Sequence, residues 1–163
     1  MTVIGNGVRA DCPVPSRSSF SAGRIEVRAS GRKGRGVFAR TPFEIGELVE
    51  RVPVIVVPKP QLEFLERTVL SYYAFSWGPD LEDGAIALGF CCLYNHSYQP
   101  DARVVKLIDE GAIEIVAVRA ITAGDEVTLN YNGSPDEDTP LWFDGQRWGW
   151  YRGDGSADDS HGP

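Results

Sequence analysis

The sequence has no stretch that could serve as a membrane span or a secretory leader. Its apolar runs all fall short of the roughly 18 to 20 residues that a membrane span needs. Residues 1–23 mix Ser, Pro and Gly and contain no apolar core of signal-peptide length. We therefore expect a cytoplasmic protein with no membrane partner.

Cysteine is scarce, and its spacing excludes the two structures that cysteines usually build. The chain has three, of which Cys91 and Cys92 are adjacent, and it contains no Cys-x-x-Cys pair. Adjacent cysteines do not readily bond to each other, and this spacing fits neither a disulfide framework nor a zinc site. We expect reduced thiols that pack as small apolar groups, and no bound metal.

Acidic residues outnumber basic residues, which limits the kind of partner that the protein can bind. Lys and Arg total 16 against 23 Asp and Glu, for a formal net charge of −7. Because nucleic-acid binding ordinarily requires a basic face, a nucleic-acid partner is disfavoured. The charge suits a Lys- or Arg-rich peptide, although acidic soluble proteins without such a partner are common. No G-x-G-x-x-G run opens a helix after a strand, so a Rossmann-type fold is also disfavoured.

The chain of 163 residues, 42% hydrophobic and 24% charged, has the length and composition of one soluble domain. Apolar alternation between glycine turns predicts strands over residues 25–29, 36–40, 47–50, 52–57, 72–77, 102–108, 112–118 and 126–131. One helix is predicted over residues 60–70, with Leu62, Leu65 and Val69 on its apolar face. Pro53 indicates an edge strand or a bulge, because proline cannot donate to a strand ladder. The pattern predicts a mainly β fold.

Three short motifs combine residue types that bind ligands. They are Lys-Gly-Arg-Gly-Val-Phe-Ala (33–39), Leu-Tyr-Asn-His-Ser-Tyr-Gln-Pro-Asp (93–101) and Gly-Asp-Glu-Val-Thr-Leu-Asn-Tyr (124–131). Each also has an ordinary structural interpretation. The glycines can serve a hairpin turn, Asn95 and Ser97 favour turns, and Tyr131 can be an interior strand aromatic.

Taken together, in this order and at these spacings, the motifs resemble those of the SET-domain lysine methyltransferases. The match covers roughly residues 24–133. The resemblance implies the SET β-fold, with several small sheets, one or two short helices and a knot-like threading of the C-terminal segment past Asn95. It also implies a domain at residues 23–133. Before this domain, residues 1–22 mix Gly, Pro and Ser without a period, which predicts a flexible arm. An aromatic flanking segment (134–152) and a disordered tail (153–163) would follow.

The resemblance implies S-adenosylmethionine as the cofactor. In the family the glycine-rich loop lies against the amino-acid end of this molecule, an Asn side chain binds it, and the main chain of the following His reads the adenine. The residues expected to bind it here are Lys33, Gly34, Arg35, Gly36, Tyr73, Asn95, His96, Tyr131 and Phe143.

The resemblance also implies the catalytic residues and a channel for the substrate lysine. Tyr131 would be the catalytic tyrosine, and Tyr73 a second tyrosine near the cofactor, with Tyr72 competing for that place by one residue of register. Strand alternation puts Leu129 on the face of Tyr131, so it would line the channel. Trp142 and Phe143 would close the channel, or would simply pack on the core.

The departures from the family pattern are informative. Tyr98 stands where many relatives carry a zinc-binding Cys, and no Cys follows Cys92, which implies a zinc-free member without flanking cysteine clusters. Asp101 replaces an Asn, and Asn130 replaces an Asp. We expect a lysine-containing, basic protein substrate and a monomer or homodimer. The alternatives are an inactive SET-like module that binds a basic partner, and a β scaffold whose motifs are coincidental.

Overall fold

Ten short strands carry the fold of residues 20–141, the part of the chain that the computed structural model describes. The strands are β1 (Phe20–Ala22), β2 (Ile25–Ala29), β3 (Arg35–Ala39), β4 (Leu48–Val57), β5 (Ala74–Trp77), β6 (Asp83–Ala87), β7 (Asn95–His96), β8 (Ala102–Leu107), β9 (Ala112–Ala117) and β10 (Glu126–Leu129). They form two five-stranded sheets, and the single α-helix among these residues, α1, spans Leu62–Glu66. The predicted mainly β fold with several small sheets is confirmed. No helix of residues 20–141 is long and apolar enough to cross a membrane.

The first sheet brings the three sequence motifs together, because β3, β7 and β10 each come from one of them. Its strand order is β1-β2-β3-β10-β7, with β10 antiparallel to β3 and parallel to β7. In the parallel pair, Asn95 lies opposite Thr128 and His96 opposite Leu129. The N–H of Ser97 donates to the carbonyl of Leu129 at 2.9 Å. The Asn95 and Tyr131 segments therefore run side by side, while the knot-like threading stays a prediction.

The second sheet curls so that its two edge strands approach each other. Its order is β5-β6-β4-β9-β8, and the predicted β8–β9 hairpin is confirmed. Lys106 on β8 donates from Nζ to Ser76 Oγ on β5 at 3.0 Å, which links the two edges. The space enclosed between these edges faces the first sheet at the end of β10.

The core lies between the sheets and is built from the inward faces of their strands. Fully buried side chains include Val27, Val37, Ile113, Ile115 and Val127. The alternation that predicted the strands is visible in β9, where Ile113, Ile115 and Ala117 are buried and Glu114 and Val116 between them are half-buried. This apolar packing holds the ends of β7 and β10 in fixed positions.

The prediction of an edge or bulge at Pro53 is wrong in its position. Pro53 lies in the central strand β4, at the point where pairing with β9 ends, opposite Ala112, and pairing with β6 begins at Val54. The change of partner tolerates the missing N–H of proline. The bulge of this strand lies instead between Leu48 and Glu50.

The predicted helix over residues 60–70 is shorter than expected. A 3₁₀ turn at Lys59–Gln61 leads into the five residues of α1. Thr68 then ends the helix, because its hydroxyl donates to the carbonyl of Leu65 and accepts the N–H of Leu70. This side chain competes for backbone groups that a continuing helix would use.

The turn after α1 also corrects the strand predicted over residues 72–77. A 3₁₀ turn at Val69–Tyr73 follows the helix, so Tyr72 and Tyr73 belong to this turn, and β5 begins at Ala74. Near the N-terminus, the end of the predicted flexible arm is a strand. Residues Phe20–Ala22 form β1, which pairs with β2.

Candidate active site

A cavity of about 560 Å³ lies where the 3₁₀ turn, the curled sheet and the end of β10 meet. Its walls include Tyr73 from the turn, Tyr94 from the segment before β7, Lys106 from β8, and Leu129 and Tyr131 from the end of β10. Residues predicted to act in one site are therefore brought together from segments almost 60 positions apart. The cavity is a concave site with a few polar groups in a largely apolar wall, as ligand sites usually are.

Tyr131 presents its phenol oxygen beside a carbonyl oxygen. Its hydroxyl donates to the main-chain carbonyl of Tyr94 at 2.7 Å. Although 51% of the residue is exposed, burial around the hydroxyl, with the nearby Tyr73 phenol, raises the pKa of Tyr131 to about 12. The phenol therefore stays protonated at neutral pH and keeps its bond to the carbonyl.

The ring of His96 holds the main chain of Tyr131 in place. The N–H of Tyr131 donates to His96 Nδ1 at 3.2 Å, and the two ring centroids lie 5.3 Å apart. His96 is 8% exposed. Its side chain thus positions the tyrosine, a contact that the sequence did not reveal.

The side chain of Tyr94 is packed in the core. It is 2% exposed, and its phenol lies near the carboxyl of Glu50, which accepts the N–H of Phe90 at 2.8 Å. Burial raises the pKa of both the Glu50 carboxyl and the Tyr94 phenol. A side chain fixed in this way leaves the Tyr94 carbonyl little freedom to move away from Tyr131.

Asn95 is held in one orientation by two acceptors. Its Nδ2 donates to the carbonyl of Arg35 at 3.0 Å and to Glu126 Oε1 at 2.5 Å. Because both partners are acceptors, the amide nitrogen must face them, and the side-chain oxygen points the other way. Glu126 is itself fixed, since its Oε2 accepts the hydroxyl of Ser30 at 2.7 Å.

The two glycines of the first motif are required for different physical reasons. Gly34 has φ of 78° and open space around it, so it serves the turn that precedes β3. Gly36 is buried, and a Cβ there would lie 2.1 Å from Glu126 Oε1 and 2.8 Å from Asn95 Nδ2. Gly34 thus fits the ordinary turn interpretation, whereas Gly36 is needed for the close approach of Glu126 and Asn95.

The predicted cofactor residues divide into two neighbouring groups. Tyr73 and Tyr131 line the cavity, and Tyr72 lines it as well. The sequence left open which of Tyr72 and Tyr73 faces the site, and the structure places both there. Lys33, Gly34, Arg35, Gly36, Asn95 and His96 form a second group beside it, in which Lys33 Nζ donates to the carbonyl of His96 at 3.1 Å. His96 joins the two groups because its ring also contacts Tyr131. Trp142 and Phe143 lie outside the described residues.

The residues that depart from the family pattern each have contacts of their own. Asp101 Oδ2 accepts both the N–H and the hydroxyl of Thr128, at 3.0 and 2.6 Å. Asn130 donates to the carbonyl of Glu137 and accepts the N–H of Asn132. These contacts fix the ends of the second and third motifs rather than weaken them.

The cysteines and acidic residues do not build a metal centre in the part of the chain described. Within residues 20–141, no group of three or more His, Cys, Asp or Glu side chains is placed to hold an ion. Cys91 is buried, and burial raises the pKa of its thiol far above the usual range. The Cys92 thiol lies 3.3 Å from the carbonyls of Tyr73 and Ala87, so it supports the turn that carries Tyr73.

Sequence reasoning missed Glu126, Tyr94 and Lys106. Glu126 had a signal, because Glu126 and Thr128 form the polar face of an alternating strand whose other face is apolar. A charged strand face is usually solvated, so only the pairing of β10 with β7 shows that this one meets Asn95. Tyr94 acts through its carbonyl, and Lys106 through its place on a curled sheet, and neither property is visible in a sequence.

Comparison with known proteins gives a consistent result. The SET domain family model matches residues 34–132. A Schizosaccharomyces pombe protein named histone-lysine N-methyltransferase, H3 lysine-37 specific, is 30% identical over 121 residues, which are 74% of this chain and 77% of the relative. The crystal structure of a candidate histone methyltransferase from Plasmodium falciparum shares the fold, with a TM-score of 0.54 and 23% identity, and the match covers 70% of this chain and 97% of that one.

Proposed function

Because this chain belongs to the SET-domain family and is a protein-lysine methyltransferase, we propose that it takes the methyl group from S-adenosylmethionine and transfers it to the ε-amine of a lysine in a basic protein. The observation that carries this proposal is the pairing of Tyr131 with the Tyr94 carbonyl in the cavity, next to an Asn95 held in one orientation.

The second group of residues fits the cofactor chemically. Asn95 turns its side-chain oxygen away from Arg35 and Glu126, so it can accept from a cationic ammonium such as the one that S-adenosylmethionine carries. The carbonyl of His96 accepts a hydrogen bond from Lys33 Nζ, so it is accessible to a donor and can accept one from the amino group of an adenine. Lys33 is exposed, and its long side chain can move aside.

The cavity supplies what the methyl acceptor needs. The cofactor provides an electrophilic methyl group, so the chain has only to present a neutral lysine amine in line with it. Burial lowers the pKa of Lys106 in the cavity wall, and an incoming lysine would lose hydration in the same way. The cavity thus favours the neutral, nucleophilic form of the amine.

Two oxygens lie together at the point where the amine would react. Tyr131 donates its hydroxyl hydrogen to the Tyr94 carbonyl, so the phenol oxygen keeps its lone pairs for other contacts. An oxygen pair of this kind can hold a polarised methyl through weak C–H···O contacts and can orient the amine. Because the phenol is not ionised, it does not act as a base, and the ammonium proton goes to solvent before transfer.

The charge of the chain supports a basic substrate. Its formal net charge of −7 attracts Lys- and Arg-rich proteins. The name of the yeast relative assigns that protein to a lysine of histone H3, which is a substrate of this kind. We therefore propose a histone-like or similarly basic protein as the substrate class.

The test is methyl transfer to purified proteins. The chain is incubated with labelled S-adenosylmethionine and either core histones or an acidic protein of similar size, and the products are mapped by mass spectrometry. We expect methyl-lysine in the histones, formed about 10²-fold more slowly or less with Tyr131→Phe as the control. Binding of the cofactor with no transfer to any protein would favour the inactive binding module, and absence of cofactor binding would refute the proposal.

A further inference from the structure

The segment after the catalytic tyrosine is tied back onto the site by three side chains. We call residues 137–141 the C-terminal strap. The hydroxyl of Tyr98 donates to the carbonyl of Thr139 at 3.2 Å and accepts the N–H of Leu141 at 3.0 Å. Asn132 Nδ2 donates to the same carbonyl at 2.9 Å, and Asn130 Nδ2 donates to the carbonyl of Glu137 at 2.5 Å.

The groups that hold the strap are also the neighbours of Tyr131. Asn130 and Asn132 flank it in sequence, and both line the cavity. The ring of Tyr98 meets the ring of His96 edge to face, with centroids 4.5 Å apart, and His96 in turn accepts the N–H of Tyr131. The strap and the catalytic tyrosine thus belong to one hydrogen-bonded unit.

We propose that Tyr98 is a positioning residue for methyl transfer, which holds the strap against the cavity wall through its hydroxyl. The inference rests on the proposed function. Tyr98 is the contact at the far end of the strap, because its hydroxyl holds the main chain of Leu141, the last residue described. Loss of this bond removes one of the side-chain contacts that hold the strap, so the Asn132 side of the cavity becomes looser. A looser wall weakens binding of the substrate, while the reacting groups remain in place.

The first variant is Tyr98→Phe, which keeps the ring on His96 and removes only the hydroxyl. In hydrogen exchange, the Leu141 amide should lose its protection, because its acceptor is gone. In kinetics, the KM for a substrate peptide should rise about tenfold, the scale of one or two lost hydrogen bonds. The kcat should stay within about twofold of wild type, since Tyr131 and Tyr94 are untouched.

The second variant is Leu141→Pro, which removes the N–H donor and leaves Tyr98 intact. If both substitutions break the same bond, the double variant should raise KM no further than the more affected single variant. A merely structural role of Tyr98 would instead lower the melting temperature and leave the KM of the folded fraction unchanged.

Three results would overturn the inference. They are unchanged exchange at Leu141 in Tyr98→Phe, an unchanged KM, and fully additive effects in the double variant. The exchange measurement needs neither cofactor nor substrate. Absence of turnover in the wild-type protein would therefore refute the proposed function, while exchange would still show whether Tyr98 holds the strap.

Discussion

Replacing Gly36 by alanine should damage cofactor binding by displacing the carboxylate that orients Asn95. The added Cβ would lie 2.1 Å from Glu126 Oε1, about 1 Å inside the closest approach that carbon and oxygen tolerate. The same Cβ would lie 2.8 Å from Asn95 Nδ2, so both side chains must move. Gly36 itself is in strand β3, and its conformation is one that alanine adopts without strain.

The magnitude follows from the contacts that are lost. A shift of the Glu126 carboxylate away from the added Cβ lengthens its bonds to Asn95 and Ser30. A hydrogen bond to a charged group contributes about 1.5 to 3 kcal/mol, so the dissociation constant of S-adenosylmethionine should rise roughly 10- to 150-fold. Calorimetric titration of the folded variant measures this change.

Gly34→Ala provides the matched control. Gly34 has φ of 78° and no atom within 4 Å of its Cβ position, so alanine there introduces backbone strain without a collision. We expect a loss of stability of about 1 to 3 kcal/mol in thermal unfolding, with cofactor affinity changed far less. Gly36→Ala should weaken affinity less in a Glu126→Ala background than in wild type, because the collision with Glu126 has been removed and only the approach to Asn95 remains. An affinity in Gly36→Ala equal to that of wild type would refute this role of Glu126 and Asn95.

Three further predictions concern the cavity. Tyr131→Phe should lower kcat by about 10²-fold or more and leave cofactor affinity nearly unchanged, because the proposed role of the hydroxyl is at the methyl group. A variant as fast as wild type in steady-state assays would contradict this role. At low substrate concentration the rate should rise with pH as the free substrate lysine, with a pKa of about 10.4, loses its proton. Ionisation of Tyr131 should cause no decline in rate up to about pH 10, because its raised pKa of about 12 keeps the phenol neutral there. A kcat profile that declines between about pH 9 and pH 10 would count against that environment. Leu129 lines the cavity and offers no hydrogen bond, so we expect di- or trimethyl-lysine at long reaction times. Leu129→Tyr should give more monomethyl-lysine. Mass spectrometry that finds only monomethyl-lysine with the wild-type protein would refute this role of Leu129.

The strand pattern and the family could be predicted from the sequence because both depend on local order along the chain. The hairpin at residues 102–117 is an example, since apolar alternation on either side of a glycine turn has few other solutions. The three motifs likewise named Asn95, Gly36 and Tyr131 as candidates, and the structure places all three within two adjoining groups. The prediction of a helix over residues 60–70 was too long for a local reason that the apolar pattern does not show. The hydroxyl of Thr68 binds the backbone and ends the helix early.

What the sequence could not determine is which groups meet across the fold. The carbonyl of Tyr94 meets the phenol of Tyr131 only because β7 and β10 are parallel neighbours. Lys106 reaches the cavity only because the second sheet curls until side chains of its two edge strands meet. Tyr98 was noted from the sequence as a replacement for a cysteine, whereas its bonds to residues 139 and 141 depend on where the chain returns. Main-chain carbonyls occur at every residue and carry no sequence signal, so their use in a site is decided by tertiary packing alone.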